Sequence, residues 1–173
     1  MSDQVNKSAD DLTFIPVSRI IKDVRACIDA NISVAGLALA LTIPDVLGQK
    51  CYPQLVFDDG NRKVHAQYER WFDTYVADQF GRQESWFDGN MCYELRCSLL
   101  HSGQADIGYR HRERDGKRYD FRFELVDDGR QLHQEMPHPT KPNVIICTVH
   151  LNADLLAGAL CDGAEKCLQR LGR

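Results

Sequence analysis

The sequence has no Cys-x-x-Cys, no glycine-rich phosphate loop, no Gly-x-Ser-x-Gly and no His-Glu-x-x-His. Those absences remove the short signatures of dithiol and zinc-ribbon sites, nucleotide-binding loops, serine-hydrolase elbows and zincin helices. Positive charge is not in excess either, since 21 Lys and Arg stand against 25 Asp and Glu, a net charge of -4. That argues against a protein whose whole surface holds nucleic acid, and leaves room for a local basic patch. The longest apolar run, Val34 to Ile43, falls short of the ~20 residues that a bilayer crossing needs. Met1 to Asp11 is polar and acidic, with no apolar signal-peptide core. No membrane attachment and a cytoplasmic location are the expectations.

Cysteine is not scarce. There are seven, an odd number, and most lie inside apolar helical patterns. That usage fits reduced, packed thiols better than a disulfide framework. With 173 residues and a hydrophobic fraction of 43%, the chain can bury one core without staples. The expected organisation is a flexible tail over 1–13 and a single domain over 14–173.

Apolar residues recur at helical spacing through the first half. Ile20, Ile21, Val24, Cys27 and Ile28 mark one buried face, with Pro16 and Ser18 opening the helix. Ser33 is read as the cap of a second helix, Val34 to Thr42, apolar almost all round and so expected at the centre of a bundle. Pro44 interrupts it, leaving one further turn ended by Gly48. A third helix from Lys63 to Phe80 carries Tyr68, Trp71, Phe72 and Tyr75 on one side. Core packing is the expectation there; a base-stacking platform would need several of these rings exposed. A fourth helix, Met91 to Ser102, is expected to start at Asp88 or Asn90 and stop at Gly103.

After Gly103 the period shifts towards two. Ile107 to Arg112 and Lys117 to Val126 read as a hairpin turning at Asp115-Gly116, with Val144 to Val149 as a further strand. Asn152 then caps a last helix, in which Gly158 and Gly163 permit tight crossing. The fold class is α+β: mainly a helical bundle, with a small antiparallel β-sheet inserted at about 105–150, before the C-terminal helix.

The candidate chemistry sits in Arg96 to His101. A guanidinium grips phosphate with two hydrogen bonds, and a histidine titrating near neutrality moves protons. On an ideal helix the two project about 140° apart. They converge if the helix end unwinds, if both side chains reach along it, or if two copies meet across a dimer axis. The plainer reading is an ion pair of Arg96 with Glu94 or an acidic loop, and a histidine satisfying helix-end carbonyls. Cys97 and His101 share a face, which gives a Cys–His dyad or simply a packed thiol. Cys92/Cys97 and Cys161/Cys167 are not at ligand spacing, so neither a metal nor a cofactor is assigned. Arg110, Arg112 and Arg114 are the candidate substrate-binding residues, on an arm where acidic residues alternate with basic ones.

Arg96-Cys97-Ser98-Leu99-Leu100-His101 resembles the Arg-x4-6-His motif of the HEPN superfamily. The resemblance implies a HEPN-like helical bundle and a metal-independent endoribonuclease, with His101 as general acid or base and Arg96 stabilising the phosphate. It implies a homodimer acting on RNA in a toxin–antitoxin or other defence setting, with an antitoxin or other protein partner. Cys97 stands where active members often carry a polar residue. The family also holds non-catalytic members, so a protein-interaction or nucleic-acid-binding module is the alternative.

Overall fold

The structure is a computed structural model that describes residues 15–80, 87–103, 111–114, 116–126 and 132–172. The tail expected over 1–13 lies outside the described residues. The architecture is α+β, with helices before a small mixed sheet and one helix after it.

Helix α1 (Val17–Asp29) buries Val17, Ile20, Ile21 and Val24, as its periodicity predicts. Helix α2 (Ser33–Ala40) differs from expectation in two ways. Ser33 is its first helical residue rather than its cap, and the Ser33 hydroxyl donates to Asp154 at 3.1 Å instead. Nor is α2 buried all round, because Val34 is 57% exposed while Leu37 and Ala40 are fully enclosed.

Helix α3 (Ile43–Cys51) corrects the short-turn reading. Pro44 occupies the first turn, where its missing N–H costs nothing, and the helix runs through Gly48. Gly48 is the point at which α3 meets helix α4 (Val64–Tyr75), not a stop. A Cβ there would lie 2.7 Å from the Gln67 carbonyl oxygen. Gly48→Ala must push two helices apart, so a loss of about 2 kcal/mol in unfolding free energy is expected, measured by urea denaturation. Ser33–Cys51 spans α2 and α3 and reaches the length and hydropathy of a membrane-crossing segment. Its Leu37, Leu41, Ile43 and Leu47 are nonetheless wholly enclosed by protein.

The α3–α4 loop is tied down by Gln67, whose amide donates to the carbonyls of Tyr52 at 2.9 Å and Leu55 at 3.2 Å. On α4, Tyr68, Trp71 and Phe72 are wholly buried, so this aromatic face is core and not a stacking platform. A 3-10 turn follows at Ala77–Phe80.

Helix α5 (Gly89–Ser102) begins two residues before the expected Met91, takes Asp88 rather than Asn90 as its cap, and ends where the sequence indicates. The Asp88 carboxylate accepts the Met91 N–H at 3.0 Å, and Gly103 closes the helix at φ 66°, in the left-handed region. Gly89 makes a second close approach to α4, since a Cβ there would lie 2.5 Å from the Glu69 carbonyl oxygen.

Strands β1 (His111–Arg114), β2 (Lys117–Val126), β3 (Leu132–Pro137) and β4 (Val144–Asn152) form one sheet in the order β1-β2-β4-β3. The expectation of an antiparallel sheet is corrected here. β1–β2 and β3–β4 are antiparallel, but β2 and β4 are parallel, with Phe121 opposite Cys147 and Phe123 opposite Val149. The cause is topological. β3 lies beyond β4, so the returning β4 slots in beside β2 and runs the same way. Tyr119, Phe121 and Phe123 fill one face of β2, and Phe87 links that face to α4 through ring contacts with Phe123 (5.5 Å) and Phe72 (5.8 Å).

Helix α6 (Ala153–Leu171) continues directly from β4, and the Asn152 side chain accepts the Leu155 N–H at 2.9 Å. Gly163 meets Val76 closely, as a tight crossing requires. Gly158 faces open space, so the expectation of a second crossing point there is corrected.

Candidate functional site

Three helices converge on the Arg96–His101 region. The first turn of α3 brings Asp45, α4 brings Tyr68 and His65, and α5 supplies Tyr93, Arg96, Cys97 and His101. Arg96 is clamped by Asp45, with Nη2 to Oδ2 at 2.9 Å and side-chain exposures of 22% and 19%. The ion-pair reading named Glu94 or an acidic loop, whereas this ion pair is with Asp45 in the first turn of α3, 51 residues back in the chain (96 minus 45). No local spacing signals this pairing, because it depends on how α3 packs. Only the position of Asp45 in an N-terminal turn, where carboxylates are favoured, offered a hint.

Arg96 also reaches along the helix. Its Nη1 lies 3.4 Å from Nε2 of His101, which stands exposed in the last turn. So the two side chains meet within one chain on an unbroken helix, by long side-chain reach. Burial alone would lower the basicity of the Arg96 guanidinium, but the Asp45 carboxylate and the Cys97 sulfur more than compensate, so it is raised above its ordinary value. Arg96 therefore stays charged. Its Nε and the Oδ1 of Asp45 are buried without a hydrogen-bond partner among the described residues. An enclosed pair with an unused donor and an unused acceptor retains capacity for a polar ligand or water.

The flank of the site is built from side-chain contacts between α4 and α5. The Tyr93 ring stacks on His65 with centroids 4.3 Å apart, and His65 Nε2 contacts the Asn90 carboxamide oxygen at 2.9 Å. Burial, followed by the nearby Cys97 sulfur, pushes the Tyr93 phenol up. Beneath it the wholly buried Tyr68 hydroxyl donates to the Leu41 carbonyl at 3.2 Å. The phenol of Tyr68 is also raised, chiefly by burial. Cys97 packs in this group, its Sγ 4.0 Å from Arg96 Nη1.

The other candidates are placed less closely. Arg112 and Arg114 belong to the edge strand β1, in register with Tyr119 and Lys117, and their side chains lie outside the described residues. Arg110 lies outside the described residues altogether. On β2, Arg118 is held by Asp120 at 2.7 Å, the sign-alternating pattern of a solvated strand. Burial pushes the Cys92 and Cys147 thiols up to about 12, so these are packed, unreactive sulfurs. Among the described residues no group of three or more His, Cys, Asp or Glu side chains could hold a metal ion.

No protein-family model matches the chain, nor does any curated protein or solved structure.

Proposed function

We propose that the end of α5 is a phosphodiester-binding site and that the protein is a metal-independent, HEPN-type endoribonuclease. The observation that carries this reading is the 3.4 Å approach of Arg96 Nη1 to His101 Nε2 at an exposed helix end. Asp45 fixes the guanidinium, Arg96 offers N–H donors to a phosphate, and His101 takes or returns the proton of a ribose 2′-hydroxyl. On the family resemblance, the protein acts as a metal-independent homodimer with a HEPN-like bundle, and its sequence adds a cytoplasmic location without membrane attachment. An antitoxin or other protein partner and a defence role belong to the same proposal. The basic stretch that carries Arg110, Arg112 and Arg114 is the proposed RNA track.

The test is cleavage of single-stranded RNA by the purified full chain in EDTA, wild type beside His101→Ala. Equal cleavage by both, or cleavage by neither, removes the nuclease reading.

The Asp45 clamp favours a second reading, a non-catalytic interaction or nucleic-acid-binding module in which the Arg96–Asp45 pair holds α3 against α5. Asp45→Asn separates a phosphate-binding Arg96 from a purely structural one. Losing one partner of a largely enclosed pair is expected to cost about 2 kcal/mol of stability under either reading. If Arg96 serves phosphate, the same change also tightens RNA binding, and the salt dependence steepens by about one phosphate contact. If the pair is purely structural, RNA retention and its salt slope stay unchanged.

A further inference from the structure

Away from the Arg96–His101 site, two thiols on different helices face one another. Cys51 ends α3 and Cys167 lies towards the end of α6, and their sulfurs are 3.1 Å apart. Ordinary packing places heavy atoms about 3.5–4.0 Å apart, so this is a close approach. Two thiolates sharing a tetrahedral zinc would stand about 3.8 Å apart, given Zn–S bonds near 2.3 Å. The sulfurs are already closer than a shared zinc would hold them, and among the described residues no third His, Cys, Asp or Glu completes a metal site beside them. The pair is also unequally accessible, since Cys167 is wholly buried while Cys51 is partly exposed. Tyr75 lies beside the pair, its phenol raised by burial and then by the neighbouring Cys167 and Cys51 thiols, and Arg170 is the nearby positive charge.

We propose that Cys51 and Cys167 form an oxidation site that closes into a reversible disulfide on exposure to peroxide, pinning α3 to α6. The Cys51 thiolate attacks one peroxide oxygen, the O–O bond breaks, hydroxide leaves, and Cys51 becomes a sulfenic acid. The Cys167 sulfur then attacks the Cys51 sulfur and displaces its hydroxyl, which departs as water with the Cys167 proton. Two thiols and one hydrogen peroxide give one disulfide and two waters. The sulfurs are oxidised and the peroxide is reduced. Burial, and then the Cys167 thiol, pushes the Cys51 thiol up to about 12, so the first step is slow at neutral pH. Once formed, the sulfenic acid already has its resolving partner in contact.

The disulfide would join residues 116 positions apart in sequence, constraining most of the unfolded chain. The experiment treats the reduced full-length protein with hydrogen peroxide, alkylates the remaining thiols, and maps non-reduced peptides by mass. The expected result is one linked pair containing Cys51 and Cys167, 2 Da lighter than its separate halves and released by dithiothreitol. Tm should rise by roughly 10 °C on oxidation. Cys51→Ser, at a partly exposed position, should abolish both the linked peptide and the rise, and Cys51→Ala should behave alike. The proposal is overturned if Cys51 is recovered as sulfinic acid while Cys167 remains alkylatable. It is equally overturned if the main bridge involves another cysteine, or if Tm rises as much in the Cys51 variants.

Discussion

On the proposed nuclease reading, His101→Ala lowers metal-independent RNA cleavage about 10²–10⁴-fold, the span of a lost general acid or base. His101 is exposed, and its one described contact is with Arg96 at 3.4 Å, so the substitution opens no cavity in the core. Unfolding free energy should therefore change by no more than about 0.5 kcal/mol. That contrast between large kinetic and small thermodynamic effects is the useful feature. A drop in cleavage with an unmoved Tm assigns chemistry to the ring. A drop accompanied by a large Tm loss would mean that the helix end had been disrupted, and the assignment to His101 would fail. Arg96→Lys is a companion variant. It keeps the charge but gives up the planar fork, so it should weaken phosphate contact while leaving an ion pair with Asp45.

Trp71→Ala is expected to cost about 4 kcal/mol, enough to leave much of a marginal domain unfolded at 37 °C. Trp71 is wholly buried on α4. Its ring lies beside Tyr75, with centroids 5.5 Å apart, and 3.3 Å from where a Cβ on Gly163 would stand. It therefore fills the contact between α4 and α6, and alanine would leave a large void there. Trp71→Phe should be far milder, about 1–2 kcal/mol. The indole Nε1 is buried without a hydrogen-bond partner among the described residues, so replacing the indole also removes an N–H that was dehydrated without compensation. Urea denaturation of the three proteins gives the ordering. If phenylalanine proved as harmful as alanine, the Nε1 must have a partner, such as a trapped water.

What could be read from the chain follows the range of the interactions. The start and end of α5 were legible because Asp88 and Gly103 act on backbone groups within a turn of themselves. The buried face of β2 was legible because Tyr119, Phe121 and Phe123 alternate with polar residues. Alternation fixes a strand's face but not its neighbour, so the parallel pairing of β2 with β4 was hidden. Leu132–Pro137, with His133, Gln134 and Glu135 in it, has little strand character and was not recognised as β3. Gly48 was misread because a glycine that ends a helix and one that lets two helices touch look alike in one dimension. The candidate site divided in the same way. Arg96 and His101 were visible as a motif, whereas Asp45 is set by tertiary packing and was not. The Cys51–Cys167 contact was equally invisible.

Gly48 and Gly89 grip α4 from two sides, each against a carbonyl of that helix, at Gln67 and at Glu69. This has an evolutionary consequence. Exposed positions generally tolerate substitution at little cost, but these two sites cannot accept even a methyl group unless a helix moves. In a lineage that keeps this packing, the glycines should outlast the surrounding sequence. Two glycines 41 positions apart (89 minus 48), framing an aromatic helix, are the trace by which remote descendants could be known after Arg96 and His101 had been lost.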